Sequence, residues 1–69
     1  MLIYDNIRVL AEKKNLSISE LERMSELSKG TIGKWNIVSP TAENLKRVAL
    51  NLKVKVDKLL EDNTEKKGD

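Results

Sequence analysis

SISELERMSELSKGTIGKW, residues 17–35, carries the signals that decide the fold. Ser17 followed by Glu20 has the spacing of a capping box: the hydroxyl takes the Glu20 N–H and the carboxylate reaches back to the Ser17 N–H. This predicts a helix running to about Ser25, with Leu21 and Met24 turned inward. A turn follows at Glu26 and Leu27, and Ser28 stands where it could cap a third helix reaching about Asn36. At about 100° per residue, Ser28, Ile32 and Trp35 share one arc of that third helix. Lys29, Gly30, Gly33 and Lys34 fall nearly opposite. A lone Trp on the apolar side of a short helix reads as core, and so do Met24 and Leu27.

Upstream, Ile3, Ile7, Leu10 and Ala11 repeat at i, i+4, i+7 and i+8, which predicts a first helix over about residues 3–14. Lys13 and Lys14 suit its C-terminal dipole, and Asn15 tolerates the left-handed cap that would end it. Downstream, residues 37–40 read as a loop. Thr41 is a candidate N-cap for a fourth helix through about Leu52, buried along Leu45, Val48, Ala49 and Leu52. A short fifth helix is expected near 55–61, and the KVKV run at 53–56 is too short to build a sheet. The polar stretch 62–69 is expected to be a disordered tail to a single domain of residues 1–61. The fold class is therefore all-α, five helices, with a helix-turn-helix formed by the second and third.

Sixty-nine residues suffice for one domain, and one so small buries only about 60% of its unfolded surface. The chain has neither Cys nor His, so disulfides, thiolate metal sites and the commonest general base are unavailable to it. No glycine-rich phosphate loop and no paired-acid arrangement appears, so an enzyme is not expected, nor a catalytic residue, a metal, a cofactor or a small-molecule site. No apolar run approaches the ~20 residues of a membrane span, and Asp5 and Arg8 come too early for a signal peptide. A cytoplasmic protein is the expectation.

Charge is uneven along the chain. The formal net charge is +2. Residues 1–60 hold eleven Lys and Arg against seven Asp and Glu, while residues 61–69 hold four acids and two lysines. Between Glu26 and Glu43 there is no acid, and Lys29 and Lys34 lie inside that interval. A mildly basic, acid-free stretch can face a polyanion. Each glycine costs about 1 kcal/mol relative to Ala inside a helix. Gly30 and Gly33 are either neutral surface positions in a poor helix or bare backbone that bases and phosphates can approach. Lys29 and Lys34 can donate to guanine O6 and N7 or meet phosphates; the bland alternative is a solvated face, which is also the reading of Lys53 and Lys55.

The segments LSISELERMSELSKGTIGKW (16–35) and PTAENLKRVALNLKVKVDKLL (40–60) together resemble the lambda-repressor-like helix-turn-helix family, which includes Cro and the XRE-type repressors. The resemblance covers about residues 3–61 and is spread over many positions. It implies a five-helix domain that binds operator DNA, usually as a homodimer on a palindromic site. It further implies that Ser28, Lys29, Gly30 and Lys34, flanked by Thr31 and Gly33, meet base edges and nearby phosphates. Ser17 and Ile18 fall where the second helix meets the DNA backbone, and Asn36 through Thr41 where a phosphate is held.

The chain departs from the family pattern at several positions. Glu26 and Lys53 stand where the family usually has Gly, which predicts either strained or differently bent turns. Ile18 replaces a frequent Gln. Ala11 and Asn36 replace an Arg–Glu pair, so both partners are lost together. Val54, Val56, Leu59 and Leu60 crowd the C-terminal end, and a short helix cannot bury all four; they are the expected dimer interface, with Val56 foremost. A sequence-specific DNA-binding transcriptional regulator is the leading expectation. The alternative is a helix-turn-helix antitoxin or adaptor whose main partner is a protein.

Overall fold

The structure, a computed structural model, describes residues 2–61; the expected tail at 62–69 lies outside them. Among these residues four α-helices form: α1 (Ile3–Lys13), α2 (Ile18–Met24), α3 (Ala42–Leu52) and α4 (Val56–Leu60). Among the described residues there is no strand. The expected third helix is absent as such. In its place stands one 3₁₀ turn, Ile32–Lys34, and the five-helix expectation is corrected to four helices and that turn.

Local signals build the helix starts. The Glu20 N–H donates to Ser17 Oγ at 3.0 Å and the Ser17 N–H to Glu20 Oε1 at 2.9 Å, completing the capping box of α2. Thr41 Oγ1 accepts the Asn44 N–H at 3.1 Å and starts α3. Leu2, at the N-cap of α1, makes no side-chain cap. The missing acceptor comes from elsewhere: Asn36 Oδ1 takes the Tyr4 N–H at 2.9 Å, and Asn36 Nδ2 donates to Asp5 Oδ1 at 3.2 Å.

Three helix ends share one construction. Asn15, Glu26 and Lys53 lie at φ 60°, 60° and 61°. The next residue in each case returns its N–H to a carbonyl five positions back: Leu16 to Ala11, Leu27 to Glu22 and Val54 to Ala49, at 2.9, 2.8 and 3.0 Å. This is the Schellman arrangement, which satisfies carbonyls that a helix end leaves orphaned. Its second element is also present, because Leu16, Leu27 and Val54 all pack against the core. None of the three left-handed positions is glycine, so the strained form of the two turns at Glu26 and Lys53 is the one adopted. The Glu26 charge is met by Arg47 at 3.9 Å, an exposed contact worth little.

The core joins Ile7 and Ala11 of α1, Leu21 of α2, Ile32 and Trp35, the α3 stripe Leu45, Val48, Ala49 and Leu52, and Leu59 of α4. Asn6, itself buried, donates through Nδ2 to the carbonyls of Leu59 and Glu61, both at 2.8 Å, and so ties α1 to the end of α4. Asn51 Nδ2 donates to Ser25 Oγ at 3.0 Å, tying α3 to the end of α2. Two expectations are corrected. Met24 is 46% exposed and not core, because the α2 stripe runs through Ile18, Leu21, Glu22 and Ser25. Leu59 is fully buried and has no surface to offer a partner.

Two outcomes follow from the caps and turns. Glu26→Gly and Lys53→Gly should each stabilise the fold by about 1 kcal/mol through relief of the left-handed strain, a rise of roughly 4–8 °C in Tm for a domain this size. A fall in Tm in thermal denaturation would show that the side chains, and not the backbone, govern these turns. Glu20 carries a pH signature. The Ser17 N–H, helped by the Ser17 hydroxyl, holds its carboxyl below the usual carboxylate range. A lowered folded value contributes stability above the unfolded value, and that contribution is lost as the pH falls through the folded one. The Tm advantage of the native chain over Glu20→Gln should therefore be present at neutral pH and close on acidification through and below the carboxylate range. A gap that does not change with pH would refute this.

Candidate nucleic-acid interface

Residues 28–38 wind without a regular α-helix, and the glycine at 30 is the local reason. The Thr31 N–H donates to the Ser28 carbonyl at 3.1 Å, closing a β-turn whose third residue, Gly30, has φ +88°. That position of a type II turn needs a positive φ, which glycine adopts freely. A right-handed helix cannot run through it. The chain then tightens: Lys34 donates to Thr31 at 3.2 Å, Trp35 to Ile32 at 3.0 Å, and both Ile37 and Val38 to Lys34, at 2.9 and 2.7 Å. Ser28 is not the cap expected of it, and its side chain is exposed instead of facing the core with Ile32 and Trp35.

The cap comes from α2. The Gly30 N–H donates to Glu22 Oε1 at 3.0 Å and the Ile32 N–H to Glu22 Oε2 at 2.9 Å. Glu22 is only 3% exposed. Its position was readable from the wheel of α2, since 18, 21, 22 and 25 form one inward stripe. A glutamate on that stripe, facing a glycine-bearing turn, is the signal that reading for motifs passes over.

Despite the shortened helix, the two-sided character survives. Ile32 and Trp35 are buried, whereas Lys29, Gly30, Gly33 and Lys34 are exposed and Thr31 is half-buried. The exposed face carries two cations and two positions without a side chain. No atom lies within 4 Å of where a Cβ would sit at either Gly30 or Gly33, so both open onto solvent and not onto the protein. Between this segment and α2 lies a depression of about 430 Å³ lined by Ser19, Glu22, Arg23, Leu27 and Lys29. Arg23, which sequence reasoning passed over, thus places a second cation beside Lys29.

The remaining candidates lie around this segment in different states. Ser17 stands at the start of α2 with its hydroxyl in the capping box, and Ile18 is half-buried against the core. Thr41 is exposed at the start of α3, its hydroxyl capping Asn44. Asn36 is drawn toward α1, where its amide serves Tyr4 and Asp5. Of the four candidate interface residues at the C-terminal end, Val54 and Val56 are half-buried against the core, Leu59 is wholly buried, and Leu60 is 40% exposed. Among the described residues no group of His, Cys, Asp and Glu could hold a metal ion, and no helix is long and apolar enough to cross a membrane.

No curated protein matches the chain. The family model described as the Cro/C1-type HTH DNA-binding domain matches residues 6–65, which runs from within α1 through α4 and takes in every residue of the exposed basic face. A match over that much of the sequence, on a fold whose α2 and following segment have the two-sided form that DNA binding requires, shows that the chain belongs to the Cro/C1-type helix-turn-helix DNA-binding family.

Proposed function

We propose that this protein is a sequence-specific transcriptional regulator of the repressor or Cro kind, working in the cytoplasm as a binding protein and not as an enzyme. The observation that carries the reading is the segment 28–36. Ile32 and Trp35 anchor it in the core, while Lys29, Gly30, Gly33 and Lys34 face outward on a stretch free of acids from Leu27 to Ala42. Backbone approach at the glycines and donation from the lysines are what a major-groove contact needs. Duplex binding should weaken with salt at a log–log slope of about −0.9 per phosphate neutralised. Lys29→Ala or Lys34→Ala should weaken binding, and a lysine that serves phosphate alone should lower the slope by about one. Gel shifts across a salt series measure both. If no duplex is shifted at low salt, the better reading is an antitoxin or adaptor whose partner is a protein.

The operator is read as a palindrome bound by a homodimer. A lone domain of this size covers a small DNA interface, and regulators of this architecture gain selectivity by pairing on half-sites about one helical turn apart. The surface for pairing is the C-terminal end, where Leu60 is the most exposed apolar side chain and Val54 and Val56 flank it half-buried. Leu60 replaces Val56 as the leading contact, because Val56 packs against the core and a charge there would threaten the fold. Leu60→Asp should leave the monomer folded, abolish self-association in sedimentation, and weaken operator binding while keeping the preferred half-site. A one-to-one complex on a palindromic duplex, unaltered by Leu60→Asp, would remove the dimer and leave DNA binding standing.

A further inference from the structure

Glu22 has a property that core packing alone does not require. A carboxylate that is 3% exposed, with no cation at ion-pair distance among the described residues, is answered by two backbone N–H groups of a segment eight and ten residues away. An apolar residue in its place would avoid taking a carboxylate out of water. Only a carboxylate offers two acceptor oxygens at this spacing; a glutamine in the same position would turn an –NH₂ toward one of the two N–H donors. The two bonds bracket Gly30 and Ile32, the positions where the β-turn ends and the 3₁₀ turn begins. Glu22 therefore restrains the backbone between Lys29 and Lys34, and it does so from within the protein.

We propose that Glu22 is the positioning residue of DNA recognition: its carboxylate holds segment 28–36 in the turn–3₁₀ form, fixes the direction in which Lys29 and Lys34 are presented, and so sets sequence preference without touching DNA. This rests on the DNA-binding reading above. It differs from a general stabilising role in its consequence. Loss of fold weakens all binding alike, whereas loss of the bracket loosens only the presentation of the lysines. Contact with phosphates tolerates that loosening and contact with base edges does not.

The test uses the duplex that the native protein selects from random DNA and a scrambled duplex of equal length, at one salt concentration and well below the Tm. Glu22→Gln should lose about tenfold in affinity for the selected duplex, the scale of one well-made hydrogen bond, and less than about twofold for the scrambled one. Glu22→Asp keeps the charge on a side chain one methylene shorter, which cannot reach both the Gly30 and the Ile32 N–H, and should show the same selective loss. Should Glu22→Gln not fold, Glu22→Asp carries the measurement. Hydrogen exchange at the Gly30 and Ile32 amides supplies an independent readout, slow in the native chain and accelerated in Glu22→Gln with the α3 amides unchanged. An unchanged ratio of selected to scrambled affinity in the folded variants would overturn the proposal and leave the function intact. A native protein that prefers no duplex would overturn both, and slow exchange at the two amides would then assign Glu22 to folding alone.

Discussion

Two backbone N–H groups, the buried one of Ile32 and the partly buried one of Gly30, take their partner from Glu22 beneath them. A buried donor left unpaired is expensive, and a segment too irregular to satisfy its own amides must borrow acceptors. The rest of the domain follows from that borrowing. Helix α2 has to lie close enough for a glutamate to reach across, so Ser25 and Glu22 occupy its inner stripe and Met24 turns out to solvent. Ile32 and Trp35 then hold the far side of the segment in the core, and Asn36 carries the chain to the N-terminus of α1.

Connections of this kind recur through the molecule. A domain of this size has one thin core and no covalent staple, so side-chain amides and carboxylates bind the elements to one another at their ends. Asn6 takes up α4, Asn36 caps α1, Asn51 meets Ser25, and Glu22 caps the 3₁₀ turn. Each satisfies or engages a group at an element terminus, which is where helices leave unpaired donors and acceptors. The three left-handed turns serve the same end by internal means. They reverse the chain within two residues and set Leu16, Leu27 and Val54 against the core, at the cost of strain that glycine would have avoided.

The Arg–Glu pair usual in the family joins its first helix to the end of its third. Here the positions are Ala11 and Asn36, and the link is made by different chemistry: Ala11 is simply buried, while Asn36 reaches the α1 N-terminus and not its middle. The device is changed and the tie between α1 and segment 28–36 is kept. The basic face is accordingly held on three sides, by α1 through Asn36, by α2 through Glu22, and by the core through Ile32 and Trp35.

What the sequence determined by itself acts over a few residues. The capping box at Ser17, the N-cap at Thr41, the apolar stripes of α1 and α3, and the acid-free interval around Lys29 and Lys34 all involve partners within about one or two helical turns. The form of 28–36 did not lie within that reach. Gly30 breaks the helix locally, but the form the segment takes instead is held by Glu22, whose bonds span eight and ten residues. Asn36 and Tyr4 are thirty-two residues apart, and Asn6 and Leu59 fifty-three. Nothing in the pattern around an asparagine announces a partner so distant. Leu59 and Leu60 were likewise equivalent on paper, and only the packing of α4 onto α1 and α3 decided that one is buried and the other faces out. Hydrophobic spacing says which residues can be buried; the geometry of neighbouring elements decides which of them are.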